Sequence, residues 1–249
     1  YVYAHGGRFT FVDHVTPWSV DAPNLTFDFV RSTAFEEYVG TARFHDGTVR
    51  IQSYEPMAVD LRTRFELDGP IVRLRHIDLI ADGSVSHVTG EIDFGNWPNQ
   101  VYQIQSTVDF ARMKDLFFTG ETWRIQGEGD FTGRFLLGKG GVRDLTGTFS
   151  SPVARFNDVA FERLHGTLAW LPDSFSVTHA EADVLGGRAR FDYTIAPLGA
   201  PTGSTMRFDV DYRALDLVEL DRLLDLRGLR LVGTATGTLS MQWPSGRMA

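Results

Sequence analysis

Apolar and polar residues alternate along most of this chain. In "VDLRTRFEL" Val59, Leu61, Thr63, Phe65 and Leu67 share one face, and Asp60, Arg62, Arg64 and Glu66 the other. "VTGEIDF" sets Val88, Gly90, Ile92 and Phe94 against Thr89, Glu91 and Asp93, and "VYQIQSTVDF" sets Tyr102, Ile104, Val108 and Phe110 against Gln103, Gln105 and Asp109. "ARFDYTI" and "MRFDVDY" repeat the pattern with Phe191, Tyr193, Ile195, Phe208, Val210 and Tyr212 on the apolar side. One apolar and one charged face is the signature of antiparallel strands with one wet side.

Turn chemistry separates the runs. Asp46-Gly47 predicts a tight hairpin, and Asp82-Gly83, Gly140-Gly141 and Gly186-Gly187 predict further turns, because glycine accepts the positive φ they require. Trp97-Pro98, Trp170-Leu171-Pro172 and Trp243-Pro244 each end a run with a residue that cannot donate to a sheet ladder.

Only "ARMKDLFF" (111–118) and "ALDLVELDRLLDL" (214–226) read as helices; the second has an apolar stripe of Leu217, Val218, Leu220, Leu223 and Leu224. "VDF" precedes the first and "VDY" the second, and "GDFTGRF" and "GTATGTL" follow. This predicts a repeat of several strands plus one short crossover helix, in units of about 20–118 and 119–226, with 227–249 beginning the next.

The 249 residues are 43% hydrophobic, enough to bury a core, and carry a net charge of −8 with acidic residues spread throughout. Neither a basic patch for phosphates nor a polybasic segment for anionic lipid is present, so nucleic acid is not an expected partner. The absence of cysteine excludes disulfides, thiol nucleophiles and cysteine-ligated metals. Strand-like sequence begins at once at Tyr1 and runs close to the other end, so the chain reads as one continuous segment of a longer protein.

No enzyme chemistry stands out, and no cofactor or metal is expected. The seven histidines form no His-x-His or His-Glu-x-x-His pair. In "HAEAD", His179, Glu181 and Asp183 would project the same way from one strand, but a flat row does not surround an ion, and a solvated strand face is the simpler reading. "GEGDFTG" lacks the Lys-Ser/Thr of a phosphate loop, and there is no Gly-x-Ser-x-Gly elbow.

An apolar sheet face must be covered, and two short helices supply too little area. A sheet curled into an open trough could instead be covered by acyl chains, at about 0.8 kcal/mol per buried methylene. Glycines expected on the inner side (Gly90, Gly127, Gly129, Gly133, Gly147, Gly166, Gly233, Gly237) would permit curvature and leave lumen space. The segments 145–199 and 215–243, with short "L-x-G-x-L" strands, "GGRARF", "LDLVEL" and "GTATG", resemble the AsmA/TamB superfamily, most clearly from about residue 58 onward.

That resemblance implies an elongated antiparallel β-groove in the periplasm, belonging to a protein anchored in the inner membrane. It implies phospholipids as cargo and an outer-membrane barrel as a partner reached through other parts of the chain. The alternatives are a scaffold for outer-membrane barrel assembly or secretion, and a sugar-binding β-sandwich. The residues expected to line the groove are Leu61, Phe65, Ile92, Phe94, Ile104, Val108, Phe131, Phe135, Leu168, Phe191, Tyr193, Phe208, Val210 and Leu239.

Overall fold

The computed structural model describes residues 1–13, 18–32, 38–51, 54–118, 122–198, 203–224 and 230–244. It is mainly β: fifteen strands in one open antiparallel sheet that does not close into a barrel. The first seven are β1 (Val2–Asp13), β2 (Trp18–Arg31), β3 (Tyr38–Ile51), β4 (Met57–Asp68), β5 (Ile71–Ala81), β6 (Ser84–Asp93) and β7 (Gln100–Asp109). Helix α1 (Phe110–Phe117), the two-residue β8 (Ile125–Gln126) and β9 (Glu128–Leu137) follow. Then come β10 (Arg143–Phe156), β11 (Val159–Trp170), β12 (Phe175–Val184), β13 (Gly187–Ala196), β14 (Thr205–Asp216), helix α2 (Leu217–Leu224) and β15 (Thr234–Pro244). The spatial order is the chain order, except that β8 lies off the path and pairs with β10.

Both helices stand where the sequence predicts them: the first is displaced by one residue, and the second begins three residues later than expected, with residues 225–226 lying outside the described residues. Each occupies a connection between strands that are neighbours in the sheet, β7 with β9 and β14 with β15. They open alike. The Phe110 N–H donates to the Gly127 carbonyl and the Leu217 N–H to the Gly233 carbonyl, both at 3.0 Å. Each glycine has positive φ (111° and 95°) and immediately precedes a long strand, β9 for Gly127 and β15 for Gly233. Asp216 further caps α2 by accepting from the Val218 N–H at 2.8 Å.

Asp82 and Gly83 form the two-residue turn between β5 and β6, both at positive φ, as that turn type requires. The corresponding turn between β12 and β13 is Leu185-Gly186, so Gly187 already belongs to the strand. Asp46-Gly47, by contrast, is no hairpin: β3 runs straight through it. Asp46, at φ 59°, is the site of a β-bulge where the register with β4 shifts between Phe44 and Gly47. Its N–H donates to Asp60 Oδ1 on β4 at 2.9 Å. Two other bulges are built alike, with His179 N–H donating to Asp192 Oδ1 (2.7 Å) and Ala214 N–H to Thr236 Oγ1 (3.1 Å). In each the positive-φ residue turns its amide out of the ladder, and a short polar side chain on the next strand receives it.

The chain divides into two compact units. The first comprises residues 1–108, 112–119 and 132–144, the second 109–111, 120–131 and 145–249. The first contains a small packed cluster of Ala22, Phe44 and Val59, with Leu61, Leu79, Leu25 and Met57 against it. In the second, the buried positions include the small residues Ala154, Ala180, Ala182 and Ala189, together with Ile195 and Met206.

Candidate functional site

The apolar face is the feature that calls for a function, and cross-strand register organises it in rows. In the first unit Ala4, Phe27, Ala42, Thr63, Ile77, Val88 and Ile104 are direct partners in succession from β1 to β7. The adjacent row is Val2, Phe29, Gly40, Phe65, Leu74, Gly90 and Tyr102. Phe27, Phe29, Tyr38 and Phe65 stack with ring centroids 5.0–6.0 Å apart. Such contacts add to the area they bury.

The second unit repeats this organisation on its own strands. Gly147, Leu168, Val177, Tyr193, Phe208 and Met241 form one row from β10 to β15. Leu145, Trp170, Phe175, Ile195, Met206 and Trp243 form the next. Ala180, Phe191, Val210 and Leu239 make a third across the last four strands. These rows follow from alternation, because an in-register partner on an antiparallel neighbour shares its face.

Twelve of the fourteen residues expected to line a groove are half-buried: Leu61, Phe65, Ile92, Ile104, Val108, Phe131, Phe135, Leu168, Phe191, Tyr193, Phe208 and Val210. Leu239, on the last strand of the sheet order, is exposed. Phe94 leaves the strand altogether. It begins a 3-10 turn after β6, is 54% exposed and stacks on Trp97 with centroids 5.6 Å apart. Asp93 causes the departure by accepting from the Asn96 N–H and side chain and so stopping the ladder. Phe110 starts α1, and its ring lies over Gly129 of β9. Leu61 packs against the Phe44 and Val59 cluster, so the face is locally filled there. Among the described residues, no large side chain is less than 2% exposed.

Five glycines on this face do not leave space, because aromatic rings from neighbouring positions occupy it, whereas a Cβ at Gly233 would have nothing within 4 Å. A Cβ at Gly90 would lie 2.5 Å from the Tyr102 ring, at Gly40 2.4 Å from Phe65, at Gly166 2.9 Å from Phe149 and at Gly237 2.9 Å from the Tyr212 hydroxyl. All four are direct cross-strand pairs. Gly129 is covered by Phe110 in the same way, at 2.4 Å. The ring shields backbone that a glycine would otherwise expose.

Tyr102 is half-buried. Its hydroxyl donates to Gln100 Oε1 at 2.5 Å, and burial pushes its pKa up to about 12. Gln100 itself is only 6% exposed.

The opposite face carries ion pairs. Arg75 pairs with Glu66, Arg190 with Glu181, and both Arg163 and Arg188 with Asp183. Arg8 holds the Asp21 carboxyl, and Arg75 the Glu66 carboxyl, below the usual range by hydrogen bonding. The row expected in "HAEAD" is broken. His179 is the extra residue of its bulge, and arginines engage Glu181 and Asp183.

A different set converges on β5 and β6. His76 Nε2 and His87 Nδ1 lie 2.9 and 2.8 Å from the same oxygen, Asp78 Oδ1. These hydrogen bonds, His76 first and then His87, hold the Asp78 carboxyl below its usual range. The two histidines are distant in sequence, but the Asp82-Gly83 turn fixes the register. Counting from the Ala81–Ser84 pair, three residues back and three forward reach Asp78 and His87.

No family model matches this chain, and no match is found among curated proteins or solved structures.

Proposed function

We propose that the apolar face receives phospholipid acyl chains, and that this chain is a segment of a bacterial envelope-spanning protein carrying lipid between the inner and outer membranes. The supporting observation is the in-register apolar rows in each unit, in which most of the aromatic and aliphatic side chains are half-buried. Tails need only a continuous apolar surface, with polar headgroups left in water; no acid, base or nucleophile is required. At about 0.8 kcal/mol per methylene, even partial contact along a row would hold a tail. The likeness of 145–199 and 215–243 to AsmA/TamB sequences agrees with this reading.

Tryptophans on the second unit's face give the test. Trp170 and Trp243 share a row with Phe175, Ile195 and Met206. Phospholipids brominated along the acyl chain should quench their fluorescence, and Phe208→Asp should reduce the quenching. Quenching equal to that by a brominated water-soluble control would reject the proposal.

A second reading, a scaffold that receives client strands, is favoured by one observation. Val2, Tyr3, Phe9 and Val12 on β1, at one end of the sheet order, remain exposed. It predicts client adducts along β1 that a charge at Phe208 leaves unchanged. The sugar-binding sandwich has no comparable support, because all fifteen strands belong to one sheet.

A further inference from the structure

His76, Asp78 and His87 on the polar face of the first unit bring three metal-ligating atoms within 4.8 Å of one another. We propose that they form a binding site for a divalent transition-metal ion of the zinc class, separate from the apolar face.

Three features of the fold carry this. First, Asp78 and His87 are direct partners across β5 and β6, so their side chains rise from the same face of the sheet. Second, β5 has an extra residue between Leu74 and Ile77, where the register with β6 shifts. Beyond it the pairing with β4 is regular from His76 to Asp78, so these two side chains share a face, and His76 Nε2 is directed at the shared oxygen. Third, the imidazoles lie nearly parallel, 25° between planes and 6.2 Å between centroids, flanking the carboxylate.

Two imidazole nitrogens and one carboxylate oxygen suit zinc, nickel or copper rather than magnesium or calcium, which prefer oxygen alone. The present distances of 2.8–2.9 Å are hydrogen-bond contacts. An ion would take the place of the shared protons and spread the three atoms to ligand spacing. All three side chains are substantially solvent-accessible, so water or a partner's side chain would complete the coordination.

The surroundings set the limits. Arg62 pairs across from Asp78 and Arg64 from His76 on β4, and Gln105 from His87 on β7. Two guanidiniums nearby oppose a cation, so the site binds more weakly than a closed structural zinc site.

Calorimetric titration of the intact chain with Zn²⁺, with Mg²⁺ as a control, tests this. One Zn²⁺ per chain should bind saturably, and Mg²⁺ should give no signal. His76→Ala, His87→Ala and Asp78→Asn should each weaken binding by roughly tenfold or more. His5→Ala and His165→Ala should leave it unchanged. Far-UV circular dichroism of the variants controls for folding, and NMR of the wild type should show the His76 and His87 ring resonances shifting on zinc addition. No saturable zinc binding, or binding that survives loss of His76 and His87, would overturn the proposal, as would ring resonances that do not move.

Discussion

Gly90 and Tyr102 face each other across β6 and β7, and the tyrosine ring occupies the place a side chain at Gly90 would take. A Cβ there would lie 2.5 Å from the ring and 2.7 Å from the Val101 carbonyl oxygen. The second contact is to backbone, which a rotamer change cannot relieve. Gly90→Ala should therefore destabilise the chain by about 1–3 kcal/mol in urea unfolding. Gly7→Ala, whose Cβ would have its nearest neighbour at 3.7 Å, should change stability by no more than about 0.5 kcal/mol.

Tyr102 should ionise late. With the folded pKa at about 12 and the ordinary value at 10.0, the folded state holds the proton more tightly. Its contribution to stability is complete below pH 10 and is lost as pH rises from there toward 12, because the unfolded chain ionises first. Ultraviolet titration should show a tyrosinate step near pH 12 that Tyr102→Phe removes. The same substitution strands the buried Gln100 carbonyl and should cost about 1–2 kcal/mol at neutral pH.

The bulges make a separate prediction. Thr236→Val retains the β-branched shape but removes the acceptor for the Ala214 N–H, and should cost about 0.5–1 kcal/mol in urea unfolding. Asp192→Ala should accelerate hydrogen exchange at the His179 amide, which it now receives, and leave the Asp46 amide protected. Equal acceleration at both would mean that the bulges are not independently held.

Alternation made the strands and their apolar face legible in the sequence, since period two is a local property of consecutive residues. The Asp82-Gly83 turn was legible for the same reason. Asp46-Gly47 misled because the same residue pair suits a hairpin and a bulge, and what decides is Asp60 on the neighbouring strand. Phe94 left its expected row through a cap from Asp93, again a choice between two local hydrogen-bonding patterns. Gly90, Gly166 and Gly237 read as empty space because the rings covering them come from other strands. The meeting of His76 with His87 required the register of β5 against β6, which no spacing motif encodes.

Whether acyl chains occupy the apolar face is tested most directly by photo-crosslinking amino acids placed at Phe65, Phe191, Phe208 and, on the opposite face, Asp192, with the protein exposed to phospholipid. Phospholipid adducts should form at the three aromatic positions and be rare at Asp192. Adducts equally frequent at all four positions, or absent from the aromatic ones, would contradict the account.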